Sequence, residues 1–110
     1  MYFSAGDGAG IGVAKSVTGP GGPFVDVLGK PLIPDVKYGA EPIDPDIFID
    51  DDGRNYLYYG GWSHGVVVEL EDDMITTKGE FKEITPPDYV EAPFMVKKNG
   101  VYYYMYSVGG

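Results

Sequence analysis

One short pattern occurs twice in this chain. Asp44, the Asp52-Gly53 pair, Tyr56 and Tyr59 return as Glu91, Asn99-Gly100, Tyr103 and Tyr106, each about 47 residues later. Asp-Gly and Asn-Gly between apolar runs form tight hairpin turns, because both pairs tolerate positive φ. Each copy therefore reads as a strand, a turn and a return strand, with room for two more short strands before the pattern restarts. A unit of this length cannot bury its apolar face alone, so it stacks on further copies of itself. Four-stranded units repeated in this way are the blades of a β-propeller. The expected fold class is all-β: a propeller piece of about two four-stranded blades, with antiparallel sheets and almost no helix.

Apolar alternation and turn signals place the strands. Tyr2 to Ala5, Ile11 to Ser16 and Phe24 to Leu28 read as strands, with a Gly/Pro turn from Thr18 to Pro23. Pro31 to Pro42 is a long connection rich in breakers. Strands follow at Ile43 to Asp50, Asn55 to Gly60, Gly65 to Leu70, Gly79 to Thr85, Val90 to Lys97 and Val101 to Val108. Glu71 to Met74 is the one place for a helical turn, and Thr76 and Thr77 do not extend it. If blade strands are lettered A to D from the inside, the order is B, C, D, then A, B, C, D, then A, B. Residues 1–42 then hold part of a split blade and a connection, 43–89 a complete blade, and 90–110 the first two strands of the next. Two blades do not close a ring and leave edges open. Either further blades or further copies of the chain are expected to complete it, as a homo-oligomer in the second case.

Composition narrows the partners. Gly (17) and Pro (9) are abundant in the 110 residues, which fits many turns, while 15% aromatic residues argue against a disordered chain. A net charge of −9 disfavours nucleic acid and anionic membrane surfaces but not a neutral polysaccharide. The absence of cysteine removes disulfides and thiolate metal sites. No apolar run approaches a membrane span. The first six residues lack the basic and apolar regions of a secretory signal. The expectation is a cytoplasmic protein or a piece of something longer.

Two acids stand out by position. Asp44, in Pro42-Ile43-Asp44-Pro45, and Glu91, in Val90-Glu91-Ala92-Pro93, each head a strand A. Strand A is the innermost of a blade, so the repeat puts both carboxylates at one level facing one cavity. Glycoside hydrolysis needs such a set: a protonated carboxyl for the leaving oxygen and an ionised one to activate water or attack. The residues alone leave a plainer reading open, in which Asp44 caps a turn before proline and Glu91 is solvated.

These segments resemble glycoside hydrolase family 43. The resemblance is carried by Ile43-Asp44-Pro45-Asp46-Ile47-Phe48-Ile49-Asp50-Asp51-Asp52-Gly53 running on to Gly60, and by Glu91-Ala92-Pro93-Phe94 running into Asn99-Gly100-Val101-Tyr102-Tyr103-Tyr104-Met105-Tyr106-Ser107. Ile11 to Ser16, Thr18-Gly19-Pro20 and Gly22-Pro23-Phe24 resemble the preceding blade. The resemblance implies a five-bladed propeller and an inverting hydrolase acting on arabinose- or xylose-containing polysaccharides. It implies Glu91 as the general acid and Asp44 as the acid that modulates its pKa and orients the substrate. The family's general base heads its first blade, and no residue here matches it; Asp7, in a turn after a strand, is not a candidate. The final-blade histidine of many members is also unmatched. The alternative is a non-catalytic carbohydrate-binding or structural propeller module that self-assembles.

Trp62 and Phe94 are the aromatic candidates for substrate binding. Trp62 lies in the loop between strands B and C, on the same rim as the heads of strands A, where an indole can stack on a sugar ring. His64, in the same loop, reads as solvated. Asp50-Asp51-Asp52-Gly53 lacks the ligand spacing of a calcium loop and reads as a hairpin turn. Gly19 to Gly22 lacks the Lys and Ser/Thr of a phosphate loop. Tyr102 to Tyr106 alternate along a strand and read as core. No cofactor and no metal are expected.

Overall fold

Short runs of β-branched and aromatic residues separated by Gly, Pro, Asn and Asp become nine strands: β1 (Tyr2–Ala5), β2 (Gly10–Ser16), β3 (Phe24–Asp26), β4 (Asp46–Ile49), β5 (Asn55–Tyr59), β6 (Val66–Leu70), β7 (Thr77–Glu83), β8 (Tyr89–Lys98) and β9 (Val101–Val108). The computed structural model describes residues 1–6 and 9–109, so Asp7 lies outside the described residues. No helix occurs among the described residues. Glu71 to Met74 closes a single turn, the Met74 N–H donating to the Glu71 carbonyl at 2.9 Å.

All pairing is antiparallel. The strands form a sheet β1-β2-β3, a sheet β4-β5-β6-β7 and a hairpin β8-β9. The two hairpin turns differ in length. In the first, Asp50 pairs with Arg54 (N–H to carbonyl, 2.9 Å), so Asp51, Asp52 and Gly53 make the turn, with Gly53 at φ 85°. In the second, Lys98 pairs with Val101, and Asn99 and Gly100 (φ 53° and 76°) make a two-residue turn. The acidic run Asp50 to Gly53 is therefore a turn in fact.

The core lies between the first two sheets. Ile11 of β2, Leu57 and Tyr59 of β5, and Val66, Val68 and Leu70 of β6 are buried together with Ile33 and Ala40. The last two belong to the breaker-rich connection, which thus carries core as well as turns. At its start the backbone pairs with β2: Ile11 N–H donates to the Ile33 carbonyl at 3.0 Å, and Leu32 N–H to the Ile11 carbonyl at 2.7 Å. Leu57, on a central strand with neighbours on both sides, is fully buried. Leu57→Ala is expected to cost about 2–5 kcal/mol, read as a lower urea midpoint at unchanged slope.

The second sheet and the hairpin are joined by side chains at their outer ends. Lys97 Nζ lies 2.7 Å from Asp51 and 3.5 Å from Asp50, and Tyr102 donates to Asp50 at 2.6 Å. The Tyr102 hydroxyl first, then the Asp51 N–H and the Lys97 charge, hold the Asp50 carboxyl below the usual carboxylate range. A carboxylate with a depressed value stabilises the fold above its unfolded pKa of about 4 and loses that contribution as pH falls through the folded value. Acid titration below about pH 4 is expected to loosen this joint, and Asp50→Asn to flatten that part of the stability curve.

Even-numbered residues of β9 turn inward: Tyr102 meets Phe48, and Tyr104 meets Tyr58 and Tyr89, which Tyr106 also packs against. Tyr104 and Tyr106 are partly buried in that cluster. Tyr102 and Tyr103 are each half exposed, which corrects the reading of the whole segment as core. Phe94, Val96, Tyr103 and Met105 pair across the other face and stand exposed.

Candidate active site

Asp44 comes just before β4 begins to pair. Its N–H donates to Ser4 Oγ of β1 at 3.0 Å, and the carbonyl of Ile43 beside it accepts from Gly60 N–H, at the end of β5, at 3.0 Å. Asp44 is half-buried and sits at φ 56°, although it precedes Pro45. A residue before proline favours extended backbone. A left-handed conformation here costs about 1–3 kcal/mol and persists only because neighbours over-determine it. Bonds to two different sheets supply that determination.

Glu91 is exposed in the first part of β8 and pairs with Ser107 of β9, whose hydroxyl donates to the Glu91 carbonyl at 2.9 Å. The ladder slips on both sides of it, between Tyr89 and Glu91 and between Glu91 and Phe94. Ala92, before Pro93, is left-handed at φ 59°. That conformation corrects the repeat. The backbone counterpart of Asp44 is Ala92, the other left-handed residue before a proline, and Glu91 stands one residue earlier. The cause is the turn: three residues in the first hairpin against two in the second shift strand A by one while strand B stays in phase. The slips around Glu91 have counterparts beside Asp44, where Gly60 meets Ile43 and Gly61 meets Glu41, so the one-residue offset persists along the strand.

Gly60 and Tyr89 bring the two acids into one neighbourhood. Gly60 donates to Ile43 next to Asp44, and its carbonyl accepts from the Tyr89 hydroxyl at 2.7 Å, two residues before Glu91. Burial pushes the Tyr89 phenol far above its ordinary value, neighbouring Tyr104 adds to this, and the charges of Asp44 and Glu91 add further. Both carboxylates are thus within charge reach of one buried phenol. Tyr89, Gly60 and Ser4 escaped the sequence reading, because each acts through a hydrogen bond to a residue distant in sequence. A tyrosine two residues before a candidate acid was the only available hint.

Trp62 is 60% exposed, in the loop between β5 and β6. Ser63 N–H donates to the carbonyl of Val90, which pins this loop beside Glu91. Phe94 lies on the open face of the β8–β9 hairpin, opposite Met105 and away from the face that meets the second sheet. His64 is not simply solvated: its Nδ1 lies 2.7 Å from Glu83 Oε2. Among the described residues no group of three His, Cys, Asp or Glu side chains is placed to hold a metal ion.

The model of glycosyl hydrolases family 43 matches residues 1–110. The chain belongs to that family. It is 68% identical to a β-D-galactofuranosidase of Aspergillus niger, over all of this chain and 33% of that protein. An α-L-arabinofuranosidase structure from Clostridium thermocellum superposes with a TM-score of 0.89 at 39% identity, over 98% of this chain and 38% of that one. An arabinoxylan arabinofuranohydrolase structure from Bacillus subtilis gives a TM-score of 0.86 at 35% identity, over 98% of this chain and 26% of that one. This family 43 chain thus spans about a third of the length of such relatives, and the folds it matches are five-bladed propellers.

Proposed function

We propose that this chain carries the acid side of a glycosidase active site, with Glu91 as the general acid and Asp44 as the acid that modulates its pKa and orients the sugar. The observation that carries the reading is the shared scaffold of Gly60 and Tyr89, which holds the backbone beside Asp44 to the strand bearing Glu91. Glu91 is exposed, as a proton donor to a bound leaving oxygen must be. Asp44 is half-buried, with its own N–H bonded to Ser4 and the Ile43 carbonyl beside it bonded to Gly60, which holds an orienting group in place. The general base comes from outside these residues, and the reaction inverts, with water held between base and acid.

The proposed substrates are arabinose- or xylose-containing oligosaccharides. The galactofuranosidase relative adds β-D-galactofuranosides to that set. Trp62 and Phe94 are proposed to contact sugar at the mouth of the site. The aromatic face of Trp62 suits the C–H face of a sugar ring.

The test is hydrolysis of aryl α-L-arabinofuranoside, aryl β-D-xyloside and aryl β-D-galactofuranoside by the chain, with Glu91→Ala alongside. Turnover by the wild type and loss in the variant support the reading. Equal turnover by both refutes Glu91 as the acid. Binding of the glycosides without turnover favours the alternative, a carbohydrate-binding propeller module.

A further inference from the structure

The loop joining β5 to β6 holds both the only tryptophan and the only histidine of the chain. Trp62 and Ser63 are consecutive non-glycine residues in left-handed conformations, at φ 54° and 64°. Such a pair is strained, and the indole it raises is largely exposed, so burial does not offset the strain. Something else holds the loop. Its end is tied by Gly65 N–H donating to Thr85 Oγ1 at 3.0 Å, and Thr85 in turn donates to Glu83 Oε2 at 2.7 Å. The same carboxylate oxygen takes His64 Nδ1 at 2.7 Å. The His64 ring and the Thr85 hydroxyl together hold the Glu83 carboxyl below its ordinary value, so it is an ionised acceptor.

On its other side the His64 ring rests against Gly39, where a Cβ would come within 3.1 Å of Cδ2 and Nε2. The ring is therefore held between a charged acceptor on β7 and a backbone that leaves just enough room for it. Ser63 N–H is bonded to the Val90 carbonyl at 3.1 Å. An open cleft of about 630 Å³ lies there, lined by Ser63, Thr85, Asp88, Tyr89 and Val90 among others. Thr85 thus belongs both to the clamp and to the lining of this cleft, and Val90 directly precedes Glu91.

We propose that His64, tied to Glu83 and through it to Thr85, is a positioning residue that holds Trp62 raised at the rim, so that its indole takes the apolar face of a sugar unit bound outward of Glu91. The sugar part of this inference rests on the proposed function; the clamp does not. A charged hydrogen bond to a short carboxylate lever is suited to the task, because it is directional and needs no burial. The indole then meets the sugar without first losing loop freedom, and binding is stronger for that.

The single tryptophan makes the clamp directly observable in the chain itself. Fluorescence anisotropy decay of Trp62 is compared in wild type, His64→Ala and Glu83→Ala. The amplitude of the nanosecond local motion is expected to rise about twofold in both variants. Unchanged decay in folded variants overturns the clamp. Titration of the same emission with α-1,5-arabinotriose and β-1,4-xylotriose tests the second part. Binding by wild type, weakened about five- to tenfold in His64→Ala, supports it. Increased Trp62 motion with no response of wild type to either sugar overturns the sugar platform and leaves the clamp standing.

Discussion

Glu91→Ala is expected to slow hydrolysis of glycosides with poor leaving groups by roughly 10²- to 10⁴-fold, the contribution of a positioned general acid. The loss should shrink toward nothing as the leaving group improves, because a dinitrophenolate departs without a proton. That dependence separates proton donation from a structural role. Glu91 is exposed, and its backbone, not its carboxylate, is held by Ser107. Truncation therefore leaves the hairpin intact, and the melting temperature should stay close to that of the wild type. The measurement is the slope of log(kcat/KM) against leaving-group pKa for a series of aryl glycosides, in wild type and variant. A parallel drop across the whole series would remove Glu91 from the role of acid.

Gly60→Ala should be the most disruptive glycine-to-alanine change among the described residues. Gly60 sits at φ 136°, where only glycine is at ease, and a Cβ there would overlap the backbone carbonyl of His64. The overlap cannot be relieved by turning a side chain. Relief requires moving Gly60, and its N–H and carbonyl are the groups that hold Ile43 and Tyr89. The expected cost is about 3 kcal/mol or more. For a domain of this size that is a fall of about 10–20 °C in Tm. Gly19→Ala is the control: Gly19 sits at nearly the same φ, 142°, but has open space around its Cβ position. It reports conformational strain alone, so the difference between the two variants measures the overlap at Gly60. A Gly60 variant melting with the Gly19 variant would show that Gly60 is not the joint between the two acids.

The hairpins were legible in the sequence because their information is local. Asp-Gly and Asn-Gly carry positive φ wherever they stand, and the alternation of Val, Tyr and Leu around them sets which side of each strand is apolar. Family membership was legible for the same reason, in runs of adjacent residues around Asp44 and Glu91. The breaker-rich connection was harder. Its prolines and glycines announce a loop, and they do so correctly, but whether Ile33 is buried depends on β2 arriving beside it.

The sequence by itself determined an all-β chain, the positions of the two strand A–strand B hairpin turns, and two acids at the heads of two strands A. Each follows from backbone preferences and side-chain period that act over a few residues. Only the tertiary structure decided that Ala92, not Glu91, is the backbone counterpart of Asp44. A one-residue difference between two turns shifts one strand against its repeat, and a count along the chain averages over that shift. It alone joined Ser4, Gly60 and Tyr89 to the acids, and His64 to Glu83. Those bonds run between groups far apart in sequence, and a hydrogen bond acts over about 3 Å of space, whatever length of chain separates its ends.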